Sequence, residues 1–157
     1  MKHISMFFAL ALTLMATSCT NSKEQSVADN NSHAQDVVVN ADIKGQWYLE
    51  NIVLNDTVNV RPSEVAPEAE QYIVFEDSTY SIITNCNSIS GSYTLVGDSI
   101  ILGAGPMTEK ACENMATEDA LRNILPNIAT VSVENDSVAR LGGSNPSEYI
   151  ELRKATK

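Results

Sequence analysis

Turn residues recurring at short intervals constrain this chain more than any other feature. From Ile43 onward, brief apolar runs alternate position by position with polar ones. They are Gln46-Trp47-Tyr48-Leu49-Glu50, Tyr72 to Phe75, Tyr80 to Ile82, Ile89 to Leu95, Ile100 to Leu102, Ala129 to Val133, Val138 to Leu141 and Tyr149 to Leu152. A period of two sends successive side chains to opposite faces of a strand, so each run can bury one face and wet the other. Glu76-Asp77-Ser78, Gly97-Asp98 and Asn135-Asp136 separate neighbouring runs as hairpin turns do. Trp47, Tyr72, Tyr93 and Leu95 are the expected inward side chains. Val60 to Glu70, with Pro62, Pro67 and three glutamates, reads as a loop.

One segment breaks the alternation. Thr117 is placed to cap a helix, Glu118 and Asp119 suit its positive end, and Ala120, Leu121, Ile124 and Leu125 form an apolar stripe that Pro126 stops. The expected fold class is α+β: mainly antiparallel sheet, a partly closed barrel-like meander with one packed helix, spanning residues 43–157. No internal repeat is visible.

The N-terminus carries a different signal. Lys2 and His3 precede an apolar run from Ile4 to Ala16, too short to span a bilayer and of signal-peptide length. Met15-Ala16-Thr17-Ser18-Cys19 resembles a bacterial lipobox, although Leu is commoner than Ala at the position of Ala16. The expectation is a lipoprotein signal at 1–18 and lipidation of Cys19, which makes the membrane a partner through an N-terminal lipid anchor. Thr20 after that cysteine leans towards the outer membrane, because Asp there favours inner-membrane retention. Residues 20–42 are rich in Asn, Ser, Gln and Asp and too poor in apolar surface to offset their ordering entropy. Such a tether of 23 residues would reach about 25–30 Å on average.

Charge and residue inventory exclude several functions. Removing Lys2 with the signal leaves nine basic against 20 acidic side chains, a net charge of −11. An acidic chain without basic patches does not suit nucleic acid. His3 lies in the signal and His33 in the tether, so the expected domain has no histidine for a catalytic triad or a His-ligated metal. Gly103-Ala104-Gly105-Pro106 is short and proline-stopped, and reads as a turn rather than a phosphate cradle. The carboxylates offer no evident facing pair: Glu118 and Asp119 are explained by helix-terminal charge, and Glu64, Glu68 and Glu70 by a solvated loop. No cofactor, metal or catalytic residue is expected, and the protein is read as a non-enzyme. Cys86 and Cys112 remain after lipidation. An even count in an oxidising envelope suggests a disulfide; two buried free thiols, or redox or metal use, are the alternatives.

Several short motifs occur in a telling order. Gly45-Gln46-Trp47 is followed by Asn85-Cys86-Asn87, then Gly91-Ser92-Tyr93, then Thr108-Glu109-Lys110-Ala111-Cys112, then Glu118 with Leu121 and Leu125. Together, over roughly residues 43–154, they resemble the META-domain (HslJ-like) bacterial lipoprotein family. That family shows Gly where this chain has Asn85 and Met where it has Lys110. Asn85 is then expected in a left-handed turn, as the best substitute for Gly. The resemblance implies structural duties for Gly45, Trp47, Asn87, Gly91, Tyr93 and Thr108. It also implies an association with envelope stress and tolerance to some antibiotics rather than a known reaction.

A second pattern is Asp, hydroxyl residue, β-branched residue: Asp56-Thr57-Val58, Asp77-Ser78-Thr79, Asp98-Ser99-Ile100 and Asp136-Ser137-Val138. It resembles an O-glycosylation acceptor of bacterial envelopes, which makes Thr57, Ser78, Ser99 and Ser137 candidates. Hairpin grammar accounts for the same pattern, with Asp ending a turn and a β-branched residue starting a strand. The functional expectation is a non-enzymatic envelope lipoprotein with an envelope protein partner. The alternative is a small hydrophobic-ligand binder, since Gly-x-Trp on a first strand also resembles the lipocalins.

Overall fold

The structure, a computed structural model, describes residues 41–156. The signal, Cys19 and most of the expected tether therefore lie outside the described residues. Nine strands follow the chain: β1 Gly45–Asn55, β2 Val58–Val60, β3 Tyr72–Phe75, β4 Thr79–Ile83, β5 Ser88–Val96, β6 Ser99–Leu102, β7 Ile128–Glu134, β8 Val138–Gly143 and β9 Tyr149–Lys154. Helix α1 is Pro62–Val65, and helix α2, Ala116–Ile124, runs into a 3₁₀ turn at Leu125–Asn127. Each neighbouring pair is antiparallel in the order β2-β1-β3-β4-β5-β6-β7-β8-β9, and β1 also pairs with β9. Eight strands thus form a closed barrel, with β2 folded back along the far half of β1. Closure leaves no free barrel edge on β1 or β9.

Strand β1 serves three partners and is longer than the alternation at Gln46–Glu50 implied. Its pairing with β9 slips between Leu49 and Asn51, a bulge that sets Glu50 outward against Arg153 at 2.6 Å. The inward set changes phase there, from Trp47 and Leu49 to Ile52. A strict period of two ends at such a point, so the continuation was not legible as one strand.

The barrel interior is filled. Trp47, Ile52, Ile73, Phe75, Ile82, Ile100, Leu141, Ile150 and Leu152 are buried together, and Phe75 meets Tyr93 edge-on at 5.2 Å. Tyr72 departs from the expected inward set: it alternates with buried Ile73 and Phe75 and so takes the outer face, half-buried. Helix α2 adds Ala120, Leu121 and Ile124 to the same core and covers the end reached by the β4–β5 turn. At the opposite end the Trp47 indole donates to Ile43 O at 2.6 Å, and Lys154 Nζ sits 4.2 Å over its ring.

Three local readings are corrected. Val60–Glu70 is not all loop: β2 precedes it, and Pro62 starts α1, where its missing N–H costs nothing. Thr117 does not cap α2; Met115 occupies that position and Thr117 is inside the helix, fully buried. Gly103–Pro106 is not a turn but extended chain running on along β5, with Gly103 N donating to Ser92 O (2.7 Å) and Ser90 N to Pro106 O (3.0 Å).

That close passage explains a glycine. A Cβ on Gly91 would lie 2.2 Å from Gly103 O and 2.7 Å from the Tyr80 ring. Gly91→Ala should therefore lower stability by about 1–3 kcal/mol, the usual cost of overpacking, measured by urea unfolding; an unchanged midpoint would refute the tight crossing. Burial pushes the Tyr80 and Tyr93 phenols above the ordinary tyrosine range, and both hydroxyls donate to main-chain carbonyls, of Gly103 and Glu76. A folded-state value above the unfolded one means stability intact below about pH 10 and lost as pH rises through the raised values. Urea midpoints followed by Trp47 fluorescence should hold up to that pH and fall beyond it, while phenol absorbance should show two tyrosines ionising late.

Candidate functional site

The motif residues split between the two ends of the barrel. Gly45 has φ +105°, a conformation that side chains rarely adopt, and it sets the chain so that Trp47 enters the core. Gly91 and Tyr93 follow on β5, the first at the tight crossing, the second with its hydroxyl 2.6 Å from Glu76 O. Asn87 and Thr108 lie at the other end, beneath α2.

There side chains add to the backbone pairing that the chain beyond β6 makes with β5, bridged antiparallel at Ile89 and Met107. The Asn87 amide donates from Nδ2 to Lys110 O (3.1 Å), and its Oδ1 accepts from Lys110 N (2.8 Å) and Thr108 Oγ1 (2.9 Å). Ser88 N donates to Thr108 Oγ1 (3.0 Å) and Thr108 N to Ser88 O (3.0 Å). The Cys86–Cys112 disulfide, with Cα atoms 6.1 Å apart, joins the same two segments. Asn85 is not left-handed: among the described non-glycine residues only Asn135 and Asp136 have positive φ. Its amide donates to Asn114 O (3.1 Å), and Asn114 in turn donates to Val65 O (3.2 Å) and accepts from Ala116 N at the start of α2.

Glu118 is the residue that local reading missed. It is fully buried. Its Oε1 accepts from Asn87 N (3.2 Å) and meets the Thr84 hydroxyl closely, while Oε2 has no hydrogen-bond partner. Helix-end charge therefore does not explain it. The available signal was its place on the apolar stripe, three residues before Leu121 and seven before Leu125. Asp119 beside it points to solvent, so the two carboxylates do not face one another. Glu64 pairs with Arg61 at 3.1 Å, and Glu68 and Glu70 are exposed. Among the described residues no group of three His, Cys, Asp or Glu side chains stands together as a metal site. Asn87, Thr84 and Glu118 are sealed from solvent, so what this cluster can do is hold three chain segments together.

The surface offers a different kind of site. Where the chain beyond β6 diverges from the end of α2, an open groove of about 410 Å³ is lined by Ile89, Leu102, Met107, Leu125 and Pro126, with Arg122 at its rim. Arg122 is exposed and forms no ion pair among the described residues.

The META domain matches residues 39–153, nearly the whole described barrel. The chain belongs to the META-domain family. It is similar in fold to a protein from Burkholderia xenovorans solved by NMR, with TM-score 0.60, 20% identity, and coverage of 73% of this chain and 83% of that one. A crystal structure of a DUF4847-family protein from Bacteroides vulgatus is also similar, with TM-score 0.50, 12% identity, and coverage of 73% and 94%. At such identities these likenesses concern the fold alone. No curated protein matches the chain. The META match begins at residue 39, and Ala41 N donates to Gly97 O at 3.3 Å.

Asn87→Ala should cost about 2–3 kcal/mol, because it strands buried partners at Thr108 and Lys110. The double change Cys86→Ala with Cys112→Ala opens a loop of separation 26 and should cost about 3–4 kcal/mol on the chain-entropy account. Chemical denaturation of each variant checks this; a loss under half a kcal/mol in either would show that the clasp is decorative.

Proposed function

We propose that this META-domain protein is an envelope lipoprotein, anchored through Cys19 at the outer membrane, whose domain is a non-enzymatic module that docks a protein partner in stress tolerance. The observation that carries the reading is the contrast between a filled barrel and an open apolar groove. A lipocalin-like carrier needs a hollow interior of several hundred Å³, whereas here Trp47, Phe75 and their neighbours occupy that space. The alternative of a small hydrophobic ligand therefore loses its cavity.

The groove at Leu102, Met107 and Leu125 suits an apolar side chain of a partner. Arg122, which forms no ion pair among the described residues of this net acidic chain, adds a preference for a neighbouring carboxylate. The anchoring arm of the proposal rests on the lipobox-like sequence ending in Cys19.

Two measurements on the full chain in intact cells test it. Clickable fatty acid should label the protein and be lost in Cys19→Ala; absence of label in the unaltered chain would refute anchoring. A photocrosslinker at Met107 should give a discrete adduct with one protein, weakened by the exposed charge reversal Arg122→Glu. An adduct that is insensitive to Arg122→Glu, or equally abundant from a crosslinker at Ser132 on the outer sheet, would refute the groove.

A further inference from the structure

The four Asp-hydroxyl-β-branched tripeptides all fall on hairpin tips: Thr57 between β1 and β2, Ser78 between β3 and β4, Ser99 where β6 begins, and Ser137 between β7 and β8. All four residues are exposed. Antiparallel alternation puts the β3–β4, β5–β6 and β7–β8 turns at one end of the barrel, with the start of β1, and the β1–β2 turn at the other.

Hairpin grammar holds as far as position goes: Asp56, Asp77, Asp98 and Asp136 sit in turns, and Val58, Thr79, Ser99 and Val138 begin the strands that follow. It does not account for what the carboxylates bond. At the β1–β2 turn the acceptor is Asn55 Oδ1, which takes Thr57 N (3.0 Å), Thr57 Oγ1 (2.8 Å) and Val58 N (3.0 Å), leaving the Asp56 carboxylate unused. Asp77 bonds Lys44 at 2.6 Å rather than its own turn. The side chains of Asp98 and Asp136 make no hydrogen bond among the described residues. Only Asp136, at φ 55°, has a backbone reason to be there, since Asp tolerates the left-handed region. Two of the four β-branched residues are also anomalies: Val58 and Val138, each 44% exposed, are among the few large apolar side chains left in solvent.

At Thr57 and Ser137 the exposed hydroxyl residue is flanked by a carboxylate that its turn does not use and by an uncovered aliphatic side chain, features that a modifying enzyme can read. We propose that these tips are acceptors for O-linked sugar, added by one transferase that reads the tripeptide; this rests on the export reading above. In the transfer the hydroxyl oxygen bonds the anomeric carbon of an activated glycan carried on a lipid phosphate. The bond from that carbon to the phosphate oxygen breaks, the lipid phosphate leaves, and the hydroxyl proton passes to a base of the transferase.

Geometry ranks the sites. Ser137 presents all three elements; at Thr57 the hydroxyl is itself engaged, donating to Asn55 Oδ1 at 2.8 Å. At Ser78 the carboxylate is engaged by Lys44. At Ser99 the third residue, Ile100, is fully buried, so that tip offers least.

The test is intact mass and site mapping of the full chain purified from its native cells, beside Asp56→Asn and Asp136→Asn. Asn suits a left-handed residue as well as Asp does, so the second change keeps the turn and the hydroxyl and removes only the carboxylate. Sugar mass is expected at Ser137 first, Thr57 next and Ser99 last, falling to background at Ser137 in Asp136→Asn and at Thr57 in Asp56→Asn. A chain processed at Cys19 but bare overturns the sugar and leaves the envelope reading standing; an unprocessed chain overturns both. Sugars that persist without the aspartate, or that sit on exposed mid-strand hydroxyls such as Thr94 or Ser132, overturn recognition of the tripeptide.

Discussion

Both atoms of the Asn87 amide bond main chain of the Thr108–Lys110 segment or its side chains, and that exchange continues the backbone pairing of β5 with the chain from Gly103 to Thr108. Regular pairing between β6 and β7 is reduced to Ser99 with Thr130, and 25 residues, Gly103 to Asn127, intervene between these strands. A barrel with one weak seam needs that long crossover held in place. Asn87, the Cys86–Cys112 disulfide and the Asn85–Asn114 bond hold its outgoing half, and Glu118 ties the helix of its returning half to the same β4–β5 turn. Each amide bond is worth only about 1 kcal/mol net, but breaking one would leave buried partners unsatisfied, so the cluster acts as a unit.

This explains why the motif residues are spread along the chain and yet share one kind of duty. Gly45 supplies a backbone conformation, Gly91 allows two segments to pass, and Trp47 fills the barrel. Asn87 and Thr108 fasten the crossover. A signature built this way is a folding requirement, and it places no demand on the outer surface.

What was legible in the sequence is what depends on near neighbours. The hairpins at Glu76–Ser78, Gly97–Asp98 and Asn135–Asp136 appear where turn chemistry and a period of two predicted them. An even count of two cysteines in an oxidising envelope pointed to the disulfide ahead of two buried free thiols or redox or metal use. What was missed depends on partners far along the chain. The bulge beyond Leu49 answers to β9, a hundred residues away. Gly103 to Pro106 resembles a turn in composition, but its glycines serve contact with Ser90 and Ser92. Glu118 reads locally as a helix-start acid, and only the tertiary fold brings Thr84 and Asn87 to it.

The two ends of the barrel consequently differ in how much they can change. The end under α2 carries buried polar groups whose partners fix one another, so most substitutions there leave a group unsatisfied. At the other end the ties are exposed: Lys44 bonds Asp77 at 2.6 Å in solvent, where such a pair contributes little. The hydrogen bond holds the Asp77 carboxyl below the usual carboxylate range and raises Lys44 correspondingly. Turns at that end can accept additions or altered charge without disturbing the core, because Trp47 and Ile43 seal the interior behind them. With Trp47, Phe75 and their neighbours filling the barrel, variation of that kind is confined to its outer surface.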